Sequence, residues 1–237
     1  MGRWVVMPTY NECENIPPPL REIFLVVPDV EVLVVDDKSP DGTADVVRTL
    51  QSTYPRLHLY VRDRKRGLGS AYIDTFQRLI ATQGFETVTT MDADFSHSPH
   101  YLPQMHHLAE QYEVVIGSRY IGGGGTEGWG RRRRLLSASG NFYARLITGV
   151  PIKDLTAGFV TFRRAILEKI PFDQIHSTGY AYTIESKCLA IFAGARVIEI
   201  PIIFKDRRKG VSKLSRQIIF EAVRAPWHAR SVSGQKP

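Results

Sequence analysis

Cysteine is nearly absent from this chain, and long apolar runs are absent altogether. The two cysteines among 237 residues, Cys13 and Cys188, make no Cys-x-x-Cys pair and no Cys/His cluster. That excludes a zinc ribbon and a disulfide framework, and two buried reduced thiols are expected instead. No apolar run approaches the ~20 residues of a membrane-spanning helix. The opening MGRWVVMPTY lacks the apolar core of a signal peptide and reads directly as a strand. These absences predict a soluble, cytoplasmic chain. No G-x-x-x-x-G-K-S/T sequence occurs, so a P-loop is excluded. RKRGLGSAY begins a G-x-G-x-x-G pattern, but Tyr72 stands where the third glycine belongs, and no first strand precedes it. Gly67 and Gly69 therefore read as turn and helix-start residues set by packing, with Arg66 beside them a candidate phosphate contact. Gly-x-Ser-x-Gly is missing too, and the seven histidines are scattered. His97 lies close enough to Asp94 to join a site. His100, His106 and His107 read as helix-surface residues.

What is present is an apolar share of 43%, enough to bury a sizeable core. The net charge of +7 is unevenly spread. Residues 1–130 hold 11 Lys and Arg against 17 Asp and Glu, and residues 131–237 hold 20 against 7. A balance of −6 followed by +13 predicts an anionic partner for the second half. Nucleic acid, an anionic membrane surface and a phosphorylated substrate all qualify. No nucleic-acid-binding motif is present, and the aromatics are not interleaved as in an RNA-binding sheet.

Short apolar runs alternate with amphipathic ones. RWVVMP, VEVLVVDD, LHLYVR, ETVTTMD and YEVVIGSRY read as strands with helices between them, the first helix capped by Asn11. VEVLVVDD is apolar until its end, as a strand buried on both faces must be. Such alternation builds a doubly wound, mostly parallel α/β sheet flanked by helices, with ligands at the carboxyl ends of the strands. From Gly122 the texture changes. GGGGTEGWGRRRR reads as a flexible and then basic segment, and LLSASGNFYARLITG as a helix. A turn and strand follow in DLTAGFVTFRR, a helix in GYAYTIESKCLAIFAG and a strand in ARVIEIPIIF. KDRRKGVSKL is a basic loop, and SRQIIFEAVRAPW is an amphipathic tail helix. Nothing marks a second domain.

VVDDKSPDG places Asp36 and Asp37 at one strand end, and MDADFSH places Asp92 and Asp94 at another. In a parallel sheet both ends share one edge. A single aspartate there is more often a cap or turn residue. Two acidic clusters on one edge, one of them Asp-x-Asp, suit a hard cation shared with substrate phosphates. An isolated run such as Arg131–Arg134 is usually a solvated face. Beside a glycine-rich segment and an Asp-x-Asp site it reads as a phosphate-gripping element, because guanidinium forks match phosphate oxygens. The tail mixes Leu214, Ile218, Phe220, Val223 and Trp227 with Lys213, Arg216, Arg224 and Arg230. Packing on the core and contact with an anionic membrane are both open readings.

VVMPTYNECENI, VLVVDDKSPDGTADVV, RGLGSAY, TMDADFSHSP, VVIGSRY, LTAGFVTFRR and GVSKL follow one another as in the inverting nucleotide-sugar glycosyltransferases of the GT-A fold. The chain resembles the polyprenol-phosphate (dolichol-phosphate) mannose synthases over residues 3–215. The resemblance implies a single GT-A, Rossmann-like domain. Residues 1–121 would form its nucleotide-sugar-binding half, 122–215 its acceptor-binding half and 216–237 the amphipathic tail. It implies metal-dependent transfer of mannose from GDP-mannose to polyprenyl phosphate with inversion, UDP-glucose being the alternative donor. Pro8, Tyr10 and Glu12 would line the nucleotide pocket, and Val35 and Asp37 would meet the nucleoside. Asp92, Ala93 and Asp94 would hold the diphosphate through Mg²⁺ or Mn²⁺, with Ser96 completing the metal shell. Arg207 and Lys213 would close over the diphosphate. Arg119, Arg133, Arg134 and Ser137 would grip the acceptor phosphate, and Asp94, Arg119 and Arg133 would be catalytic. A phosphate monoester is largely dianionic at neutral pH, so no strong general base is required. The sequence departs from the pattern where many members have Asn or Gly in place of Lys38, Gln in place of Ser96, and Arg in place of Ala138. A lipid acceptor implies work at the cytoplasmic face of a membrane, peripherally or through a small anchoring subunit, and no nucleic acid.

Overall fold

The structure is a computed structural model that describes residues 2–82, 84–177, 179–206 and 216–232, with side chains in the last segment described from Phe220 onward. In chain order the strands are β1 (Gly2–Thr9), β2 (Glu31–Asp36), β3 (Leu57–Val61), β4 (Phe85–Thr90), β5 (Val114–Ser118), β6 (Gly125–Glu127), β7 (Val160–Arg163), β8 (Val197–Pro201) and β9 (Ile203–Lys205). The helices are α1 (Pro17–Val26), α2 (Thr43–Gln51), α3 (Leu68–Ala81), α4 (Leu102–Leu108), α5 (Arg131–Thr148), α6 (Arg164–Leu167), α7 (Tyr182–Phe192) and α8 (Arg216–Val232). Seven strands form one sheet in the order β3-β2-β1-β4-β7-β5-β8. Only β7 runs against its neighbours, pairing antiparallel with both β4 and β5.

The apolar strands read as buried on both faces because alternate residues serve opposite cores. Val5, Met7, Val32, Val34 and Val115 pack beneath α1, α2 and α4, where they meet Leu20, Ile23, Val47 and Met105. Val6, Val35, Val88, Val114 and Ile116 face the other way. They meet Tyr72 and Phe76 of α3, Ile184 and Cys188 of α7, and Ala225 and Ala229 of α8. Helices α3 and α7 approach closely at Gly69. A Cβ there would lie 2.6 Å from the Ser177 carbonyl oxygen and 2.7 Å from Tyr182 Cβ. That contact accounts for the glycine by packing.

The doubly wound, mostly parallel sheet is as expected, and several local expectations change. Asn11 does not cap α1. It has a left-handed backbone (φ 60°), its N–H bonds Ser39 Oγ, and α1 starts at Pro17 behind Ile16. The glycine-rich segment is not simply loose, because Gly125–Glu127 pairs in parallel with β9. The four arginines Arg131–Arg134 form the first turn of α5 rather than a lead-in to it. His106 is buried, not on the surface. It contacts Thr89, and burial pushes its imidazole down to about 4. Cys13 is only half buried, whereas Cys188 is in the core.

Candidate active site

The carboxyl edge of β2, β1 and β4 carries three tight loops. Among the described residues, the non-glycine positions with positive φ are Asn11, Lys38 and Phe95. Each lies in the loop just after one of these strands. Left-handed backbone is disfavoured for most side chains and costs of order 1–3 kcal/mol. Asn and Gly adopt it most readily. Lys38, at φ 55°, therefore occupies a position that asparagine or glycine would fill at lower cost.

These turns are held by side chains. Asp36 accepts from the Thr9 hydroxyl and from the N–H and hydroxyl of Ser39, closing the β2 turn onto β1. Asp37 pairs with the fully buried Arg62 and accepts from the Arg66 N–H. Pro8 sits in register with Val35, so the expected nucleoside residues Pro8, Tyr10, Val35 and Asp37 converge on two adjacent strand ends. Val35 is fully buried, and Lys65 stacks over the Tyr10 ring at 3.6 Å. Glu12 lies close by, its N–H on Thr43 Oγ1 and its carboxylate accepting from Asn15. Arg66 pairs with Asp74 at 2.8 Å.

Beside them, β4 ends in the Asp92–Phe95 turn. Asp92 reaches a cavity of about 460 Å³, and its side chain is 26% exposed. Ala93, Asp94 and Ser96 are buried behind it. Asp94 accepts from the Ser96 N–H at 3.0 Å. His97 stacks on Phe159 and meets Phe204 edge-on. Its Nδ1 accepts the Asp92 N–H at 3.1 Å, which requires that nitrogen to be unprotonated. Burial lowers its pKa to about 4, against the pull of Asp94. The 3.8 Å approach of Nδ1 to the Asp92 carboxylate is therefore not an ion pair at neutral pH. His97 holds the Asp92 backbone and is not a free base.

Because β7 runs backwards, the segment leading into it, Asp154–Gly158, arrives at this same edge. The Thr90 hydroxyl ties it to β4 through the Gly158 carbonyl. Asp154 is fully buried and takes Arg119 as a fork. Its two oxygens accept from Arg119 Nε and Nη2, both at 2.7 Å, and also from the Arg119 N–H. Burial opposes both charges, but each partner outweighs that cost, so Arg119 is held more basic and Asp154 more acidic than usual. Arg119 Nη2 also donates to Thr156, and Asn141 of α5 bonds the same hydroxyl. Lys187 of α7 is buried, and its Nζ donates to the Ala157 carbonyl at 2.7 Å. Its ammonium pKa is driven down to about 7, chiefly by burial. Trp129 lies between the arginines, 4.0 Å from Arg133 and 5.4 Å from Arg119. Arg133 pairs with Asp206 at 2.9 Å.

Asp92, Arg119, Arg133 and Ser137 thus line one cavity, together with Trp129 and Thr156. Arg134 is exposed and does not line it. Arg207 and Lys213 lie outside the described residues. Asp154, Trp129, Lys187 and Asp206 belong to the arrangement and were not singled out from sequence. Asp154 had a signal, since a buried arginine after a strand needs a counter-ion, but its position depends on the direction of β7. The rest of the lining is largely apolar and includes Leu136, Tyr143, Tyr180, Ile184, Ala222 and Val223.

A mostly parallel sheet with one reversed strand, and an Asp-x-Asp turn at its ligand edge, define a glycosyltransferase of the GT-A fold. The chain belongs to glycosyl transferase family 2, whose sequence pattern matches residues 4–171. It is 39% identical over 218 residues to the undecaprenyl-phosphate mannosyltransferase of Micrococcus luteus, covering 92% of this chain and 89% of that one. It is 41% identical over 221 residues to the polyprenol monophosphomannose synthase of Mycolicibacterium smegmatis, covering 92% and 83%. Among solved structures, glucosyl-3-phosphoglycerate synthase from Mycobacterium tuberculosis, in complex with Mn²⁺, UDP-glucose and phosphoglyceric acid, is similar with a TM-score of 0.67. That likeness holds at 16% identity and covers 100% of this chain and 81% of that one. Mannosyl-3-phosphoglycerate synthase from Rubrobacter xylanophilus gives 0.64 at 20% identity, over 100% and 78%. The two likenesses establish the fold.

Proposed function

We propose that the chain transfers mannose from GDP-mannose to a polyprenyl phosphate by single displacement with inversion. The observation that carries this reading is the make-up of one cavity, whose lining combines Asp92, Arg119, Arg133 and a broad apolar set of side chains. A sugar diphosphate at the aspartate, a phosphate at the arginines and an isoprenoid chain on the apolar walls suit that lining. The names of the 39–41% identical relatives support the same sugar and acceptor class.

Pro8, Tyr10, Glu12, Val35 and Asp37 would take the nucleoside beside Asp92. Carboxylate oxygens suit a hard cation. Among the described residues no group of three or more His, Cys, Asp or Glu converges on a metal position, which leaves room for donor phosphates as ligands. Asp92 and Asp94, with Ser96 beside them, would hold Mg²⁺ or Mn²⁺, and such an ion offsets the charge that grows on the departing diphosphate. On the acceptor side, Arg119 keeps its Nη1 edge beyond the Asp154 fork. Arg133 and the Ser137 hydroxyl stand on the facing helix, and with Arg119 they would orient the phosphate oxygen that attacks the anomeric carbon as the sugar–diphosphate bond breaks; Arg134 lies outside this lining. The dianion needs no proton removed. A lipid acceptor makes a membrane surface or a small anchoring subunit the expected partner, at the cytoplasmic face.

The test is a donor panel with Mn²⁺ and a short polyprenyl phosphate, scored for lipid-linked sugar. Transfer from GDP-mannose is expected, lost with chelator and yielding the β-linked product. Transfer from UDP-glucose alone would replace the donor assignment, and no transfer from any donor would refute the enzyme reading for this acceptor.

A further inference from the structure

Lys187 is out of place in α7. Tyr182 through Ala190 are all buried, and Lys187 itself is 1% exposed. An apolar side chain would suit such a position better, because burial disfavours an ammonium. Burial is the main reason its pKa falls to about 7; Asp154, Cys188 and Glu199 work against that fall and Arg119 adds to it. A stable core gives no reason for an amine here. Groups that break the pattern of a core without stabilising it concentrate at functional sites.

The amine has a defined contact. Its Nζ donates to the Ala157 carbonyl at 2.7 Å, and Ala157 is buried with it. That carbonyl lies in the segment 154–158, which touches both sides of the site. At one end Asp154 holds Arg119. At the other, Gly158 adjoins Asp92: a Cβ on Gly158 would lie 3.8 Å from Asp92 Oδ1 and 3.5 Å from His97 Cε1. Thr156, Ala157 and Gly158 line the cavity. Other elements pin the rest of the segment. Glu199 of β8 accepts the Lys153 and Asp154 N–H groups at 2.8 and 2.9 Å. Asn141 accepts from the Thr156 N–H and donates to its hydroxyl. The Thr90 hydroxyl donates to the Gly158 carbonyl at 2.6 Å. Ala157 falls between those pins, and its own side chain is a methyl that can bond nothing. Lys187 supplies the hold at that point.

We propose that Lys187 is a positioning residue for transfer: through the Ala157 carbonyl it fixes the 154–158 segment, and with it the placement of Arg119 relative to Asp92. It touches neither substrate, because the side chain is enclosed and its amine is bonded to the segment. The consequence for transfer rests on the mannosyl-transfer reading; the hold on the segment does not. Reacting atoms must meet at about 3–3.5 Å, and a misplacement of about 1 Å can lower the rate about 100-fold.

The experiment compares wild type with Lys187→Met, which keeps the length and removes the donor, and with the shorter Lys187→Leu, which also lacks one. Hydrogen exchange is followed by mass spectrometry over residues 154–160, without substrate. Both variants are expected to exchange there about 3–10-fold faster, the effect of one lost buried hydrogen bond, with β1 and β2 unchanged. With GDP-mannose, Mn²⁺ and a short polyprenyl phosphate, kcat per folded enzyme is expected to fall about 10–100-fold while both KM values stay within about threefold of wild type. Unchanged exchange over 154–160 in a folded variant overturns the inference, and so does an unchanged kcat. A rise in KM alone overturns it too. Faster exchange throughout the chain, with kcat per folded enzyme kept, would make Lys187 a stabiliser of the core and nothing more. If the donor panel yields no product the transferase reading fails, while exchange still decides whether Lys187 holds the segment.

Discussion

Asp154→Asn isolates the most buried charge pair in the site. Asp154 is fully buried and the Arg119 side chain is 8% exposed, so solvent cannot replace a lost carboxylate. The asparagine keeps the volume but not the acceptors. Both carboxylate oxygens now receive donors, one from Arg119 N–H and Nε, the other from Arg119 Nη2 and the Thr156 hydroxyl. The amide must turn its own N–H₂ toward one of those donor sets. Removing one partner of a buried pair costs about 3–5 kcal/mol, because the other charge stays buried alone. In a domain of this size each kcal/mol moves the melting temperature by about 2–4 °C, so a fall of about 6–20 °C is expected. Thermal and urea unfolding would measure it, with the urea slope unchanged. Arg119→Met should cost a similar amount, and Arg119→Met/Asp154→Asn less than the two single changes together. A loss below about 1 kcal/mol for Asp154→Asn, or strict additivity in the double variant, would refute the reasoning.

Two further predictions follow from packing and burial. Gly69→Ala is expected to destabilise by about 1–3 kcal/mol through the clash with the Ser177 carbonyl, although alanine favours helix by about 1 kcal/mol; a urea titration showing a gain would contradict the close α3–α7 approach. For Lys187, burial lowers the folded pKa from 10.5 to about 7. Between those values the unfolded chain binds more protons than the folded one, so this residue makes stability rise with pH across that window, by at most about 1.4 kcal/mol per unit. Lys187→Met removes that slope, and its stability relative to wild type should be best at or below neutral pH and decline toward pH 10. Urea midpoints that differ by the same amount at all pH values would exclude a buried, titrating amine.

The sheet was legible because short apolar runs alternate with amphipathic ones, and two of those runs lead into carboxylates at Asp36–Asp37 and Asp92–Asp94. The connections across the site were not. Asp154 and Arg119 are 35 residues apart, and only the reversed direction of β7 brings the first to the second. Lys187 was not singled out within the helix read from GYAYTIESKCLAIFAG, and Tyr182 through Ala190 are buried on every side. The tail left packing and membrane contact equally open because its apolar residues fit either. In the structure Ala225 and Ala229 join the core, whereas Phe220, Val223 and Trp227 are exposed.

Magnitudes also order the events on the acceptor side. Arg119 and Arg133 each hold a carboxylate, so an incoming phosphate must compete for at least one guanidinium. The Arg119–Asp154 pair is enclosed and bidentate, and opening it would cost about 3–5 kcal/mol. The Arg133–Asp206 pair is single and its side chains are 28% and 37% exposed; such pairs are worth about 0–1 kcal/mol. Under the proposed acceptor roles, phosphate would exchange with Asp206 at Arg133 and add to Arg119 without displacing Asp154. On this account Arg119 is fixed before the acceptor arrives, and Arg133, stacked on Trp129, is the arginine that changes partner. Asp206 directly precedes residues 207–215, where Arg207 and Lys213 lie.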